Sequence, residues 1–174
     1  DEGIKKQLRI IREHAHRISA TVSKLQIFAS MDCQEPKSIV PLTLLRSSAL
    51  GVLTSDKSLS IDCVLEKGMN YEEPLLKGDE ALLQQAFEAL IKCVSQSSSS
   101  SDIHATTGQC FKTDCVRFEI QSGKPDIRDD EGWERLESSS TQALGFGVSV
   151  AVIILGYHRG TLFYRGDNGV PSFR

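Results

Sequence analysis

Gly145 and Gly147, with Phe146 between them, open an apolar run, Val148 to Leu155, that closes on Gly156-Tyr157-His158-Arg159-Gly160. Glycine lacks Cβ, so backbone at such a pair can approach a ligand or a neighbouring loop closely. The run predicts a helix directly after the pair. A helix N-terminus binds anions, because its first N–H groups have no partner within the helix and the peptide dipoles add there. Phosphate or carboxylate recognition is therefore the chemistry this stretch can support. A turn leading into a buried helix has the same residue types, and the glycine pair alone does not separate the two readings. A short strand, Leu162 to Tyr164, is expected next.

The remaining reactive side chains are scattered. His14 and His16 are two residues apart on a predicted helix and point to different faces, as surface histidines do. His104 has no obvious partner. His158 falls at a helix end, where the dipole favours a cation, and reads as structural. Arg128-Asp129-Asp130-Glu131 reads as a solvated charge cluster. The five cysteines, Cys33, Cys63, Cys93, Cys110 and Cys115, lack zinc-site spacing and read as reduced thiols of a cytosolic protein. No G-x-S-x-G, H-E-x-x-H or Walker A pattern occurs, which weakens hydrolase, metalloprotease and P-loop readings.

The 174 residues suffice for one cored domain with an appended helix. Net charge is −3, so nothing calls for nucleic acid. No run of 18 apolar residues occurs, hence no membrane span is expected, and no signal-peptide pattern is present. Because Asp1 is not an initiator methionine, the chain is expected to be a fragment of something longer.

Two parts position these residues. In residues 4 to 30, Ile4, Leu8, Ile11, Ala15, Ile18, Val22, Leu25 and Phe28 or Ala29 recur every three or four positions, predicting one long helix. A spacing near 3.5 asks for a partner helix along the stripe, so a helical hairpin or dimer seam is expected. Met31 to Lys37 is a connector. Pro41 starts a helix whose Leu42, Leu45, Ala49, Val52 and Leu53 face one way. Leu59 to Leu65 suggests a strand and Pro74-Leu75-Leu76 another. Asp79 can cap a helix that buries Leu83, Ala86, Phe87, Leu90 and Val94. Ser95 to Ser101 is expected to be a mobile serine loop, and Val116, Phe118 and Ile120 alternate as a half-buried strand. Residues 121 to 144 read as a long loop around a short helical piece near Trp133, expected either to be mobile or to collapse across an empty pocket with Trp133 as its apolar anchor. The expected order is helix, helix, strand, strand, helix, strand, loop, helix, strand. That order gives an α/β class: a two-layer sandwich with a mixed sheet and helices on one face. The expected division is residues 1–33 for the helix and 38–174 for the sandwich.

Position by position, Gly145 to Leu162 resembles the last glycine box and following helix of the sensor histidine kinase ATP-binding domain, where G-L-G-L, an apolar helix, H-G-G and a strand succeed one another. The rest falls into register. Ile10 to Asp32 resembles the second helix of a histidine kinase dimerisation hairpin, with Arg17-Ile18 where R-L is common. Val40-Pro41-Leu42 resembles the segment opening the catalytic domain. Gly78-Asp79 with Leu83 and Gln85 resembles G-D-x-x-x-L-x-Q before the N-box helix. The resemblance implies a histidine kinase core of the Bergerat (GHKL) fold. Glu13-His14 is similar to the acidic pair around a phosphoacceptor histidine, but its surroundings resemble the second hairpin helix; the first, which carries the acceptor, is not in this chain.

The departures bear on chemistry. The family's N box places two asparagines one helical turn apart, one of them holding Mg²⁺. Counting from Gly78-Asp79, these positions are Ala89 and Cys93; a shift of one gives Glu88 and Lys92 and breaks the match at Gln85. Alanine cannot ligate a metal, and cysteine suits a hard cation poorly. The next box, D-x-G-x-G, supplies an aspartate to adenine. Here Ser122 falls at that aspartate, or Gln121 if Gly123 is aligned with the first glycine. Lys124, Pro125 and Asp126 add bulk where the backbone should lie close to the base. Gly145 and Gly147 alone keep their box. The resemblance thus implies a two-component module with a degenerate nucleotide site and no cofactor. It would be a dimeric scaffold or docking platform, homodimeric through Ile4, Leu8, Ile11, Ile18, Val22 and Leu25, with a response regulator or other signalling protein as partner. The alternatives are a working kinase domain that binds ATP and Mg²⁺, or an ATP-independent histidine phosphotransferase of the same architecture.

Overall fold

The computed structural model describes residues 2–31, 35–66, 76–110, 115–123, 132–137, 141–167 and 170–174. It divides into two compact units, residues 1–34 and 35–174. The first contains a single 30-residue helix, α1 (Glu2–Met31). Ile4, Leu8, Ile11, Ile18 and Val22 of its apolar stripe are exposed. The side chain of Leu25 lies outside the described residues.

The second unit is the two-layer α/β sandwich. Its elements are β1 (Lys37–Ile39), α2 (Pro41–Ser55), β2 (Ser60–Leu65), β3 (Leu76–Gly78), α3 (Glu80–Ser97), β4 (Asp102–Cys110), β5 (Cys115–Ser122), β6 (Glu134–Arg135), a 3₁₀ turn (Thr141–Leu144), α4 (Phe146–Tyr157), β7 (Phe163–Asp167) and β8 (Val170–Phe173). Six strands form a mixed sheet in the order β2-β4-β5-β8-β7-β6. Only β2 and β4 run parallel, joined by the α3 crossover. β1 and β3 pair separately as an antiparallel ribbon.

Local sequence explains the helices. Pro41 takes the first helical position of α2, where its missing N–H costs nothing. The Asp79 carboxylate accepts a hydrogen bond from the Leu82 N–H at 3.1 Å and caps α3. The predicted faces are buried, Leu42, Leu45, Ala49 and Val52 on α2 and Leu83, Ala86, Phe87, Leu90 and Val94 on α3, except that Leu53 at the edge of the α2 face is only half-buried. They pack on a sheet row that includes Ile103, Ala105, Ile120 and Phe173, all buried, with the Phe87 and Phe118 rings 4.5 Å apart. Burial of a side chain of this size contributes about 1.5–3 kcal/mol.

The expected element order misses four strands: β1, β4, β6 and β8. In β4 the inward row is Ile103, Ala105 and Thr107, so small and polar residues hide the alternation. β8 contains Pro171, which cannot donate to a ladder and argues against a strand. β1 and β6 are three and two residues long. Helix α3 continues through Ser97 rather than ending before the serines. The connection from α3 to β4 is hydrogen-bonded: the Asp102 N–H donates to Ser100 Oγ at 3.1 Å, and the Ser100 N–H to Ser98 Oγ at 2.9 Å.

The expectation around Trp133 is also corrected. The described residues there are a turn and β6, and the helical piece is the 3₁₀ turn further on. Trp133 is not among the residues lining the cleft at Gly145 described below. The guanidinium carbons of Arg174 and Arg165 lie 4.5 and 5.0 Å from its ring centroid. Strand alternation puts Arg174, next to inward Phe173, on the sheet face away from the helices. Residues 124–131, including the charge cluster, lie outside the described residues, as do Pro74 and Leu75.

Candidate functional site

Gly145 precedes α4 with φ 92° and ψ 169°, a conformation that a side chain disfavours. Nothing lies within 4 Å of where its Cβ would stand, so the glycine serves the backbone turn and leaves open space. No side chain caps α4. The preceding 3₁₀ turn is pinned to the helix by a buried 2.5 Å hydrogen bond between the Thr141 and Ser149 hydroxyls.

This turn faces α3 across a cleft of about 520 Å³, lined by Gln85, Glu88, Ala89, Lys92 and Cys93 on one side and Leu144 to Val148 on the other. Four of the residues singled out from sequence, Ala89, Cys93, Gly145 and Gly147, therefore meet at one place. Both N-box registers face the cleft, since 88, 92 and 89, 93 form adjacent rows on a helix. At the floor, a Cβ on Gly147 would stand 3.2 Å from the Ala89 Cβ. The glycine here lets α4 approach α3. The Cys93 thiol donates to the Leu144 carbonyl at 3.5 Å, and burial raises its pKa against a smaller opposing effect of Ser97. Glu88 accepts from the Gln84 amide at 3.0 Å and pairs with Lys92 at 3.8 Å.

Ser122 and Gly123 do not line this cleft. The Ser122 hydroxyl is 2.5 Å from that of Ser98, and the Gly123 N–H donates to the Asp102 carbonyl at 3.1 Å. Together they tie the end of β5 to the α3–β4 connection. Gln121 is buried. Among the histidines, His104 Nδ1 lies 3.7 Å from an Asp62 carboxylate oxygen, a partner that the unrecognised β2–β4 pairing supplies. His158 is structural but not a bare cation at a helix end: its Nε2 accepts from the Asp79 N–H at 3.0 Å. His14 is exposed on α1. Among the described residues no cluster of His, Cys, Asp and Glu could hold a metal ion.

Solved structures of histidine kinases share this fold. The catalytic domain of histidine kinase ThkA matches 80% of this chain and 92% of its own, at 15% identity and a TM-score of 0.56. Full-length ShkA in complex with AMPPNP matches 97% of this chain at 15% identity and a TM-score of 0.59. ThkA in complex with the response regulator TrrA matches 98% at 14% identity and a TM-score of 0.59. The chain spans 37% and 49% of those two longer proteins. No family model matches, and none of the curated proteins does. The class defined by the fold is plain: residues 35–174 have the α/β fold of histidine kinase ATP-binding domains. No described helix is long and apolar enough to cross a membrane.

Proposed function

We propose that this chain is a two-component signalling module whose nucleotide site has lost its metal and adenine ligands, and that it acts as a scaffold or docking domain. The observation that carries the reading is the composition of the glycine-lined cleft. Its α3 wall presents a methyl group at Ala89 and an inward thiol at Cys93, which donates to Leu144. Neither offers Mg²⁺ an oxygen, and the one carboxylate among the lining residues, Glu88, accepts from Gln84 and pairs with Lys92. Neutralisation of the phosphates by bound metal is a large part of phosphoryl-transfer catalysis, so its loss removes the chemistry. Ser122, placed at the adenine-binding aspartate by the resemblance, has its hydroxyl hydrogen-bonded to that of Ser98 and does not line the cleft.

Two further elements belong to the reading. The exposed stripe of α1 is the surface for a homodimer through a completed hairpin. A response regulator is the expected partner, supported by the fold shared with ThkA, which has been solved with one. Calorimetric titration with Mg-ATP is the test. No saturable heat at submillimolar nucleotide supports the reading. Metal-dependent submillimolar binding overturns it in favour of a working catalytic domain, for which the open space beside Gly145 would be the phosphate site.

A further inference from the structure

A second cavity, of about 440 Å³, opens at the other end of the α3–α4 pair, lined by residues at the N-terminus of α3 and the C-terminus of α4. Leu83, Phe87, Leu90, Ile120 and Phe173, all buried, form its floor, and half-buried Leu76, Val116, Phe118 and Leu155 line its open part. Volume and lining fall in the range of sites for small apolar ligands. Four cations line it: Lys77, Arg117, Arg159 and Arg174. Arg117 and Arg174 are engaged with Glu66 and Glu119. Lys77 and Arg159 are exposed and make no ion pair among the described residues, which places two available positive charges at the rim.

Arg159 carries a second, independent signal. Its φ is +59°, the one positive φ among the described non-glycine residues. It directly follows α4 and its capping His158, in a left-handed turn where the Gly160 N–H reaches back to the Leu155 carbonyl at 2.7 Å. Glycine is the ordinary residue at such a helix end, because a Cβ is strained there. The arginine there keeps a positive charge at the rim of the apolar cavity, in a backbone conformation that glycine would adopt with less strain.

We propose that this cavity binds a lipophilic anion, an aliphatic chain bearing one carboxylate. The chain lies along Leu76, Val116, Phe118 and Leu155, and the carboxylate meets the exposed cations Arg159 and Lys77 at the rim. The site is distinct from the glycine-lined cleft and does not depend on how that cleft is read.

The test is calorimetric titration of the protein with dodecanoate, and with dodecanol as the uncharged chain of the same length. Dodecanoate is expected to bind one to one, with dodecanol roughly tenfold weaker, in keeping with the strength of charge-assisted hydrogen bonds. Arg159→Gly is the decisive variant, since it removes the charge and relieves the backbone. Its thermal midpoint is expected to equal or exceed that of the parent, while dodecanoate affinity falls roughly tenfold and dodecanol affinity stays the same. Filling the cavity with Val116→Trp is expected to abolish both. Absence of one-to-one dodecanoate binding, or an Arg159→Gly variant that is folded and binds it unchanged, overturns the proposal.

Discussion

His158 and Asp79 are 79 positions apart in sequence and joined through one imidazole. Nε2 accepts from the Asp79 N–H at 3.0 Å, and Nδ1 bonds the Ile154 carbonyl at 2.8 Å. Since a backbone N–H can only donate, the ring proton sits on Nδ1. The start of α3 is thereby locked to the end of α4. Gly78 belongs to the same device, because a Cβ there would collide with the ring. Replacing His158 by Phe keeps the ring volume and strands the Asp79 N–H. We expect a loss of about 1–2 kcal/mol in urea unfolding, the usual cost of an unsatisfied donor. An unchanged midpoint would mean that the ring only fills space.

Gly147 can be assigned to packing or to ligand binding by a double-mutant cycle with Ala89. Gly147→Ala pushes a methyl group onto Ala89 and should cost about 1 kcal/mol or more. Ala89→Gly alone should cost about 1 kcal/mol through helix propensity. In the double variant the room removed at 147 is returned at 89, so the pair should couple favourably by about 0.5 kcal/mol or more. Strictly additive costs would show that this contact does not hold the glycine in place.

The thiols should separate by reactivity and by pH. Burial is the main cause raising the pKa of Cys63 and Cys93, while Cys115 is exposed. At pH 8, a disulfide reagent should label Cys115 faster than half-buried Cys63 and Cys93, whose raised pKa leaves less thiolate. The linkage has a definite sign. Below the ordinary value of 9.0 both states keep the proton, and above it the unfolded chain releases a proton that the native thiols retain. Stability should therefore fall as pH rises through that region. Replacing both residues by Ser should flatten this alkaline limb, and a limb that is unaltered would refute the assignment.

In the proposed reading, assembly is through the α1 stripe. Ile11→Glu with Ile18→Glu puts two charges into the expected seam, where desolvation opposes burial. Sedimentation velocity on the full-length protein should show a dimer that the double variant converts to monomer. A parent protein that is monomeric at micromolar concentration would end the dimer reading.

Trp133 is the chain's single tryptophan, so its emission reports one place. Stacked with Arg165 and Arg174 on the sheet face away from the helices, it should not respond to nucleotide. Arg174→Ala should shift the spectrum, since it removes a guanidinium 4.5 Å from the ring centroid. A shift on adding Mg-ATP to the parent would place the tryptophan in communication with the cleft.

How far the sequence carried depended on how each element is stabilised. Helices α2, α3 and α4 were legible because proline, aspartate and glycine mark their starts and apolar side chains mark their buried faces. The meeting of Ala89, Cys93, Gly145 and Gly147 followed from the family register. The sheet was only half visible. β4 fills its inward row with Ala105 and Thr107, β8 contains Pro171, and β6 has two residues, so pairing rather than propensity makes them strands. The placement of Trp133 was misjudged for the same reason. Its position follows from β6 joining β7, a long-range relation that leaves no local pattern. Arg159 was visible as a departure from H-G-G, but only its dihedral angle shows that the arginine occupies a glycine's conformation.

The order β2-β4-β5-β8-β7-β6 has a consequence for synthesis on the ribosome. β6 is attached through β7, and β7 through β8, which meets the earlier strands at Ile120↔Phe173. Residues from 134 onward therefore have no place in the sheet until Phe173 has left the exit tunnel. At about 5–20 residues per second, the nascent chain spends seconds with the open edge of β5 and its apolar row exposed. During that interval the protein depends on whatever shields nascent chains, and codon changes that slow translation between 134 and 173 should lower its soluble yield more than equal changes before residue 100.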